Sequence, residues 1–351
     1  MASEEKSLLS QAARDAYHSC TPLFTTIEIG LQCNFKCLHC YNFDRSKIPD
    51  PALKETALNS NEILDVIDQV ASAGALYITF TGGEPLLHPD LTKFIERVKF
   101  NKSVARIKTN GSYLTIEKCH ELYQAGLVTL DISFYGLDNQ TYEQFTGVSN
   151  GFDLTMQGIK NSLKVGFEFF VNIIVHKGNY KDIRKMMKLL DDLKVNYQFS
   201  DEITERYDGS EGSKNCALTE QDFGQLLESE DGELFFNYSE EPVYQCACAR
   251  SVCGISSNGE VFPCIGAPVP SGNLRDKKFL EIWDNSSVLK GIRGLVEKDF
   301  TECESCDHKN FCSRSSGAIY SNTKNYTGCD EDTLLRAKAR HKKASDFLKK
   351  T

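Results

Sequence analysis

Three cysteines near the start of the chain have a spacing that suits metal chemistry. Cys33, Cys37 and Cys40 follow the pattern C-x3-C-x2-C, directly after an apolar segment that ends at Gly30. Three thiolates so close in sequence can bind three irons of a cubane [4Fe–4S] cluster and leave the fourth iron without a protein ligand. A structural zinc site is the alternative, but it needs four ligands, and His39 is the only extra local candidate. The spacing therefore favours a cluster with one open iron.

Two further motifs lie where strands are expected to end. Thr81-Gly82-Gly83-Glu84-Pro85 follows the apolar run 76–80, and Thr109-Asn110-Gly111 follows the run 104–108. In this order, the cysteines and both motifs resemble the radical S-adenosylmethionine (SAM) superfamily. The resemblance implies that SAM binds the open iron through its amino and carboxylate groups. Reductive cleavage of SAM would then give a 5′-deoxyadenosyl radical that removes a hydrogen atom from the substrate.

The resemblance also implies which side chains contact SAM. The matching residues are Tyr41, Gly82, Gly83, Glu84, Asn110, Ser133 and Asn172. The two glycines are expected to hold the methionine amino group with exposed backbone, because a side chain would block that approach. Tyr41 matches the aromatic residue beside the adenine, while Asn110 and Ser133 match contacts to the ribose and carboxylate.

Alternating strands and helices are predicted to position these residues. A β-branched and aromatic segment at 23–29 predicts a first strand that delivers the cysteine loop. Asn59 and Glu62 form a capping-box pattern at the first helix. Further strands are predicted at 76–80, 104–109, 127–134, 167–175 and 197–200, with helices near 91–99, 115–125, 153–165 and 181–193. These repeats predict an α/β fold with a parallel sheet, and the resemblance implies a partial (β/α)6 barrel with its ligand site at the carboxyl ends of the strands.

A second group of cysteines lies near the end of the chain. The first set is Cys246, Cys248, Cys253 and Cys264, the last of which ends the motif Gly259-x4-Cys264. The second set is Cys303-x2-Cys306-x5-Cys312, followed by Cys329. They resemble the SPASM domain, which implies two auxiliary [4Fe–4S] clusters. Asn258-Gly259 predicts a hairpin turn that places Cys264 at the end of the second hairpin strand.

One position departs from the SPASM pattern. The family has a further cysteine where this chain has Ser316, and the resemblance implies that it completes the first auxiliary cluster. We hypothesise that Cys248 replaces it, so that one cluster is bound by Cys246, Cys248, Cys253 and Cys264 and the other by Cys303, Cys306, Cys312 and Cys329. A pair of zinc sites is the alternative, because spacing alone does not distinguish the two.

Composition limits the partners and the compartment. The 351 residues include 40 Lys and Arg against 49 Asp and Glu, a net charge of −9, which disfavours nucleic acid as a partner. We find no export signal and no apolar run of about 18 residues, so we expect a cytoplasmic protein without membrane contact, whose 14 cysteines stay reduced. The predicted regions are an N-terminal arm 1–20, the barrel 21–200, a linker or substrate-facing insertion 201–245, an auxiliary-cluster domain 246–330 and a terminal helix 331–351.

The resemblance implies an oxidoreductase. SPASM enzymes mostly crosslink, oxidise or decarboxylate peptides and proteins, whereas others dehydrogenate aminoglycosides or decarboxylate porphyrin side chains. Sulfatase maturases carry an acidic residue after the cysteine that matches Cys264, and Ile265 disfavours that activity. The segment 132–148 resembles peptide-modifying members. We therefore predict oxidative modification of a ribosomally made peptide or protein, with a small-molecule dehydrogenase or decarboxylase as the alternative.

Partners follow from the same resemblance. Cluster reduction requires a low-potential donor, so we expect a flavodoxin or ferredoxin. Many peptide maturases have a winged recognition domain of about 80 residues before the barrel, and only about 20 residues precede the first strand here. A leader peptide would then be bound by a separate leader-peptide-binding protein, by the insertion 201–245, or not at all. A non-enzymatic cluster scaffold is disfavoured, because it would not need the GGEP motif or Asn110.

Overall fold

A computed structural model describes residues 7–47 and 55–350. Parts of the predicted N-terminal arm (1–6), the loop after the first cysteines (48–54) and the last residue lie outside the described residues. In this range, no helix is long and apolar enough to cross a bilayer.

Strands and helices alternate through the first 200 residues. The strands are β1 Phe24–Glu28, β2 Tyr77–Thr81, β3 Val104–Thr109, β4 Thr129–Phe134, β5 Glu168–Ile174 and β6 Asn196–Ser200. The helices are α1 Leu8–Ser19, α2 Ser60–Ser72, α3 Leu91–Phe100, α4 Ile116–Ala125, α5 Asn139–Thr146, α6 Gly151–Val165 and α7 Ile183–Asp192. Short 3-10 turns at Pro85–Leu87 and Tyr180–Asp182 lead into α3 and α7.

Local sequence signals explain where several helices begin and end. At α2, the Asn59 side chain accepts a hydrogen bond from the Glu62 amide, and the Glu62 carboxylate accepts one from the Asn59 amide, as the capping-box pattern predicts. Helix α5 is short and mostly polar, and it was not predicted from the sequence. The Asp138 side chain caps it, and Gly147 ends it in the left-handed conformation.

The six strands form a parallel sheet in which each strand pairs with the next one along the chain. Successive right-handed connections of this kind curve into an open, partial barrel. The predicted fold class is therefore confirmed. The core lies between the strands and the apolar faces of the helices, and it includes the predicted α2 face of Ile63, Val66, Ile67 and Val70.

Two strands from the cysteine-rich part of the chain extend this sheet. β7 Val252–Ile255 pairs in parallel with β1, with Phe24 opposite Val252, and β8 Val261–Phe262 pairs antiparallel with β7. The predicted hairpin turn is present, with Gly259 at a φ of 86°.

Helices complete the remainder of the chain. They are α8 Glu220–Glu228, α9 Phe279–Asn285, α10 Ser287–Gly294, α11 Thr301–Glu304, α12 Ser316–Thr323 and α13 Glu331–Lys350. Short 3-10 turns lie at Ser213–Cys216, Gly232–Phe235, Glu297–Asp299 and Lys309–Phe311.

Candidate active site

The loop with the first three cysteines follows β1 and is held by the end of α5. The Lys36 amide donates to the Thr146 carbonyl at 2.7 Å, and the Leu38 amide donates to the Phe145 carbonyl at 3.0 Å. The His39 ring stacks on Phe145, with centroids 4.9 Å apart. Burial lowers the pKa of His39 to about 3, so this ring is neutral. The α5 segment therefore fixes the loop that carries the thiols.

The three thiols are close enough to affect one another. Burial raises the pKa of Cys33 to about 11 and raises that of Cys37, and the neighbouring thiols add to both increases. Arg45 opposes this effect: its Nε lies 3.1 Å from the Cys40 Sγ, and its guanidinium lies 4.3 Å from the centre of the Phe43 ring. Three thiols beside one fixed cation fit an anionic thiolate-bound cluster. Arg45 was not identified from the sequence, because it belongs to no motif.

The two glycines of the GGEP motif face the backbone of the cysteine loop. A Cβ on Gly82 would lie 2.1 Å from the Gly30 carbonyl oxygen, and one on Gly83 would lie 1.9 Å from that of Gln32. The Gly83 and Glu84 amides donate to these carbonyls at 2.8 and 2.7 Å. Close contact between the two loops thus requires both glycines, which is a different reason from the SAM approach expected from the sequence.

Glu84 connects neighbouring strand ends. Its carboxylate accepts hydrogen bonds from the Leu86 amide (3.0 Å), the Thr109 hydroxyl (2.7 Å) and the Asn110 amide (2.8 Å). Burial raises its pKa to about 7. The Asn110 side chain in turn donates to the Asn34 Oδ1 at 3.0 Å. Glu84 and Asn110 therefore join the ends of β2 and β3 to the cysteine loop.

Two further predicted SAM contacts lie side by side on the sheet. Ser133 on β4 is directly opposite Asn172 on β5. The Asn172 Oδ1 is buried and has no hydrogen-bond partner among the described residues. Buried polar atoms nearly always have a partner, so this oxygen fits a site that binds a ligand with hydrogen-bond donors.

Tyr41 is held between the barrel and a later segment of the chain. Its hydroxyl donates to the Glu28 Oε1 at 2.8 Å, and its ring lies 5.0 Å from that of Tyr207. The Ser257 amide also donates to Glu28, at 3.3 Å. Burial raises the pKa of Glu28, whereas these hydrogen bonds lower it. Glu28 and Tyr207 were not identified from the sequence, because neither belongs to a local motif.

Residues 204–208, which we call the strap, contact the cysteine loop and the end of the chain. The Tyr207 amide donates to the Tyr41 carbonyl at 2.8 Å, and Arg206 donates to the Leu38 carbonyl at 3.1 Å. The Glu205 amide donates to the side chain of Asn322 in α12, at 2.9 Å. The Tyr207 ring also approaches Phe262 on β8, at 6.5 Å. This part of the predicted linker thus connects both cysteine regions.

The thiols of the first predicted auxiliary group are brought together. The Sγ atoms of Cys246 and Cys248 are 3.0 Å apart, and Cys248 also interacts with Cys264. Hydrogen bonding from Cys248 lowers the pKa of Cys246 to about 5. Burial raises the pKa of Cys253, and the nearby Cys264 adds to that increase. Ser316 is fully buried and interacts with Cys246 as well.

The second predicted auxiliary group surrounds a cavity of about 230 Å³, which is larger than an engineered apolar cavity known to hold benzene. Its wall includes all four expected thiols, those of Cys303, Cys306, Cys312 and Cys329. A polyatomic group therefore fits here. Over the part of the chain that the structure describes, no three His, Cys, Asp or Glu side chains form a site for a single metal ion.

The chain belongs to the radical SAM superfamily. Residues 27–190 match that superfamily, and residues 246–308 match the SPASM iron–sulfur cluster-binding domain. The protein is therefore a radical SAM enzyme that uses a [4Fe–4S] cluster with SAM, and its SPASM domain implies auxiliary iron–sulfur clusters.

Three known proteins illustrate the similarity. An AdoMet-dependent heme synthase of Methanosarcina barkeri is 30% identical over 334 residues, covering 87% of this chain and 94% of the relative. The mycofactocin maturase MftC of Mycobacterium tuberculosis is 23% identical over 316 residues, covering 83% and 77%. Streptococcus suis SuiB, solved with its precursor peptide SuiA, has a TM-score of 0.69 at 18% identity, covering 93% and 80%. The likeness to SuiB shows the fold.

Proposed function

We propose that this enzyme oxidatively decarboxylates a carboxylate side chain of an iron porphyrin or a related tetrapyrrole. The observation that carries the proposal is the similarity to the AdoMet-dependent heme synthase, at 30% identity over 94% of that protein. The SPASM resemblance includes porphyrin side-chain decarboxylation among its activities. This was the alternative in the sequence analysis, and the relative gives it more weight than the sequence did.

We assign cluster binding to Cys33, Cys37 and Cys40, beside which Arg45 places a fixed positive charge. When bound, the cluster and SAM supply a 5′-deoxyadenosyl radical. The residues that we assign to SAM are Tyr41, Gly82, Gly83, Glu84, Asn110, Ser133 and Asn172. The Oδ1 atom of Asn172, which is buried and has no partner among the described residues, supports this assignment. Glu84 and Asn110 would act by holding the loops around SAM in place.

The reaction balances as an oxidation. Removal of one hydrogen atom and one electron from a propionate side chain, with departure of carbon dioxide, leaves a vinyl group. The electron needs an acceptor, and auxiliary clusters at the two thiol groups would supply one. We assign these groups to Cys246, Cys248, Cys253 and Cys264, and to Cys303, Cys306, Cys312 and Cys329. A flavodoxin or ferredoxin is the proposed donor for the SAM-cleaving cluster.

Oxidative modification of a ribosomally made peptide is the second candidate. The relative MftC is named as a maturase, and SuiB, which shares the fold, was solved with a precursor peptide. In that case a separate leader-peptide-binding protein is the proposed additional partner. The peptide candidate was the first choice of the sequence analysis.

One anaerobic experiment separates the two candidates. The reconstituted enzyme is incubated with SAM, a reductant and either an iron coproporphyrin or a peptide encoded beside the gene. We expect 5′-deoxyadenosine together with a porphyrin in which a propionic acid side chain has become a vinyl group, with loss of carbon dioxide, the abstracted hydrogen atom and the carboxyl proton. The Cys37→Ala variant is the control and should form neither product. An unchanged porphyrin alongside an oxidised peptide would reject the first candidate in favour of the second.

A further inference from the structure

Arg314 lies between the two auxiliary thiol groups and is rigidly held. It follows Cys312 by two residues, and its guanidinium lies 4.6 Å from the centre of the Phe300 ring. Its two terminal nitrogens donate to three backbone carbonyls and one hydroxyl, those of Tyr244, Tyr326, Gly328 and Ser316. The planar guanidinium is thus fixed in one orientation.

One donor of Arg314 remains unused. The Nε is buried and has no hydrogen-bond partner among the described residues. Arg314 lines the 230 Å³ cavity together with the four thiols of the second group. Leaving a buried charged donor unpaired is unfavourable, so the cavity is expected to supply an acceptor. The Arg314 side chain also interacts directly with Cys303, one of these four thiols.

Arg314 also contacts the first thiol group through one side chain. Ser316 accepts a hydrogen bond from Arg314 and interacts with Cys246. The family pattern has a cysteine at this position. The Ser316 hydroxyl therefore links Cys246 of the first thiol group to Arg314.

We propose that Arg314 is a positioning residue that donates its Nε–H to a sulfur of the second auxiliary cluster and thereby raises the reduction potential of that cluster. A hydrogen bond and a positive charge both favour the more negative, reduced state of a cluster. This inference rests on the presence of the auxiliary clusters. It does not depend on which substrate the enzyme oxidises.

The test is a redox titration of the fully loaded protein followed by electron paramagnetic resonance. In Arg314→Gln we expect the potential of one auxiliary cluster to become more negative, with the iron content unchanged. Arg314→Lys should give a smaller shift in the same direction, because an ammonium keeps the charge but not the fixed planar donor. An Arg97→Gln variant is the control, since Arg97 is paired with Asp68 on the outer helices.

A Ser316→Ala variant distinguishes an effect on the first thiol group from an effect on the second. It removes the hydroxyl beside Cys246 but keeps the Nε of Arg314, so the potential of the second cluster should stay at the wild-type value. If Arg314→Gln binds too little iron, the Lys variant provides the decisive measurement. Potentials equal to wild type in whichever Arg314 variant carries full iron would overturn the proposal.

Discussion

At the scale of single residues, the surroundings of Cys246 indicate how a cysteine at one position could replace a cluster ligand missing at another. Its Sγ lies 3.0 Å from that of Cys248, and it also interacts with Ser316, the position of the missing family cysteine. A thiol and a hydroxyl therefore both lie beside one candidate ligand. This geometry supports the hypothesis that Cys248 supplies the thiolate that Ser316 cannot.

We expect Cys248→Ala to lose the iron of the first auxiliary cluster, because only three thiolates would remain for it. The double variant Cys248→Ala/Ser316→Cys should regain that iron. The measurement is iron content and the absorption spectrum of each purified protein. Cys20→Ser is the matched control, and an unchanged iron content in Cys248→Ala would exclude this role.

Residues within local motifs could be predicted from the sequence, whereas their partners could not. The positions of Gly82, Glu84 and Asn110 follow from their order along the chain. Arg45 and Glu28 belong to no motif, and their importance depends on the folding of the cysteine loop, which brings Cys40 and Tyr41 to them. Sequence patterns report local preference and cannot report such contacts.

At the scale of elements, the strap is the connection between the two cysteine regions. Arg206 is buried and donates to the carbonyls of Leu38 and Glu211. This residue lies in the predicted linker or substrate-facing insertion 201–245, and its contacts could not be predicted because a segment without helix or strand has no periodic signal. In contrast, α2 was predictable because its capping box is a pattern between neighbouring residues.

Arg206→Gln should loosen the strap from the cysteine loop. The shorter side chain removes two partly buried hydrogen bonds from a charged donor, so we expect a loss of about 1–3 kcal/mol in the free energy of unfolding. Hydrogen exchange at the Tyr207 amide, which donates to Tyr41, should become faster. Arg184→Gln removes the ion pairs of an exposed side chain with Glu230 and Asp231 and should change neither quantity appreciably. If the Tyr207 amide exchanged at the wild-type rate in Arg206→Gln, Arg206 would not hold the strap against the cysteine loop.

At the scale of the whole molecule, one sheet contains strands from distant parts of the sequence. The parallel pairing of β1 with β7 could not be predicted, because the apolar pattern of a strand does not specify a distant partner. The turn at Asn258-Gly259 was predictable, because it depends on two adjacent residues. The domain boundaries at 200 and 245 stay a prediction, although the sheet continues across them.

A substitution at Gly254 on β7 tests how closely this part of the sheet packs against the Cys264 loop. A Cβ there would lie 2.5 Å from the Ile265 amide nitrogen and 2.6 Å from the Cys264 carbonyl carbon, so Gly254→Ala must push the Cys264 loop away. We expect a loss of about 1–3 kcal/mol in stability, measured by denaturant unfolding, and a lower iron content. Gly224→Ala on α8 is the control, because no atom beyond its own stretch of helix backbone lies within 4 Å of its new Cβ. Equal stability and iron in both variants would contradict the expected clash.

The pairing of β1 with β7 has a consequence for biosynthesis. A ribosome releases the chain from its N-terminus, so β1 emerges long before Val252, its partner in the finished sheet. During that interval one edge of β1 has unpaired amides and carbonyls, which can bind strands of other chains. The edge of β1 stays unpaired for as long as the ribosome takes to translate the chain up to β7. A nascent chain that stalls before β7 would keep this edge unpaired.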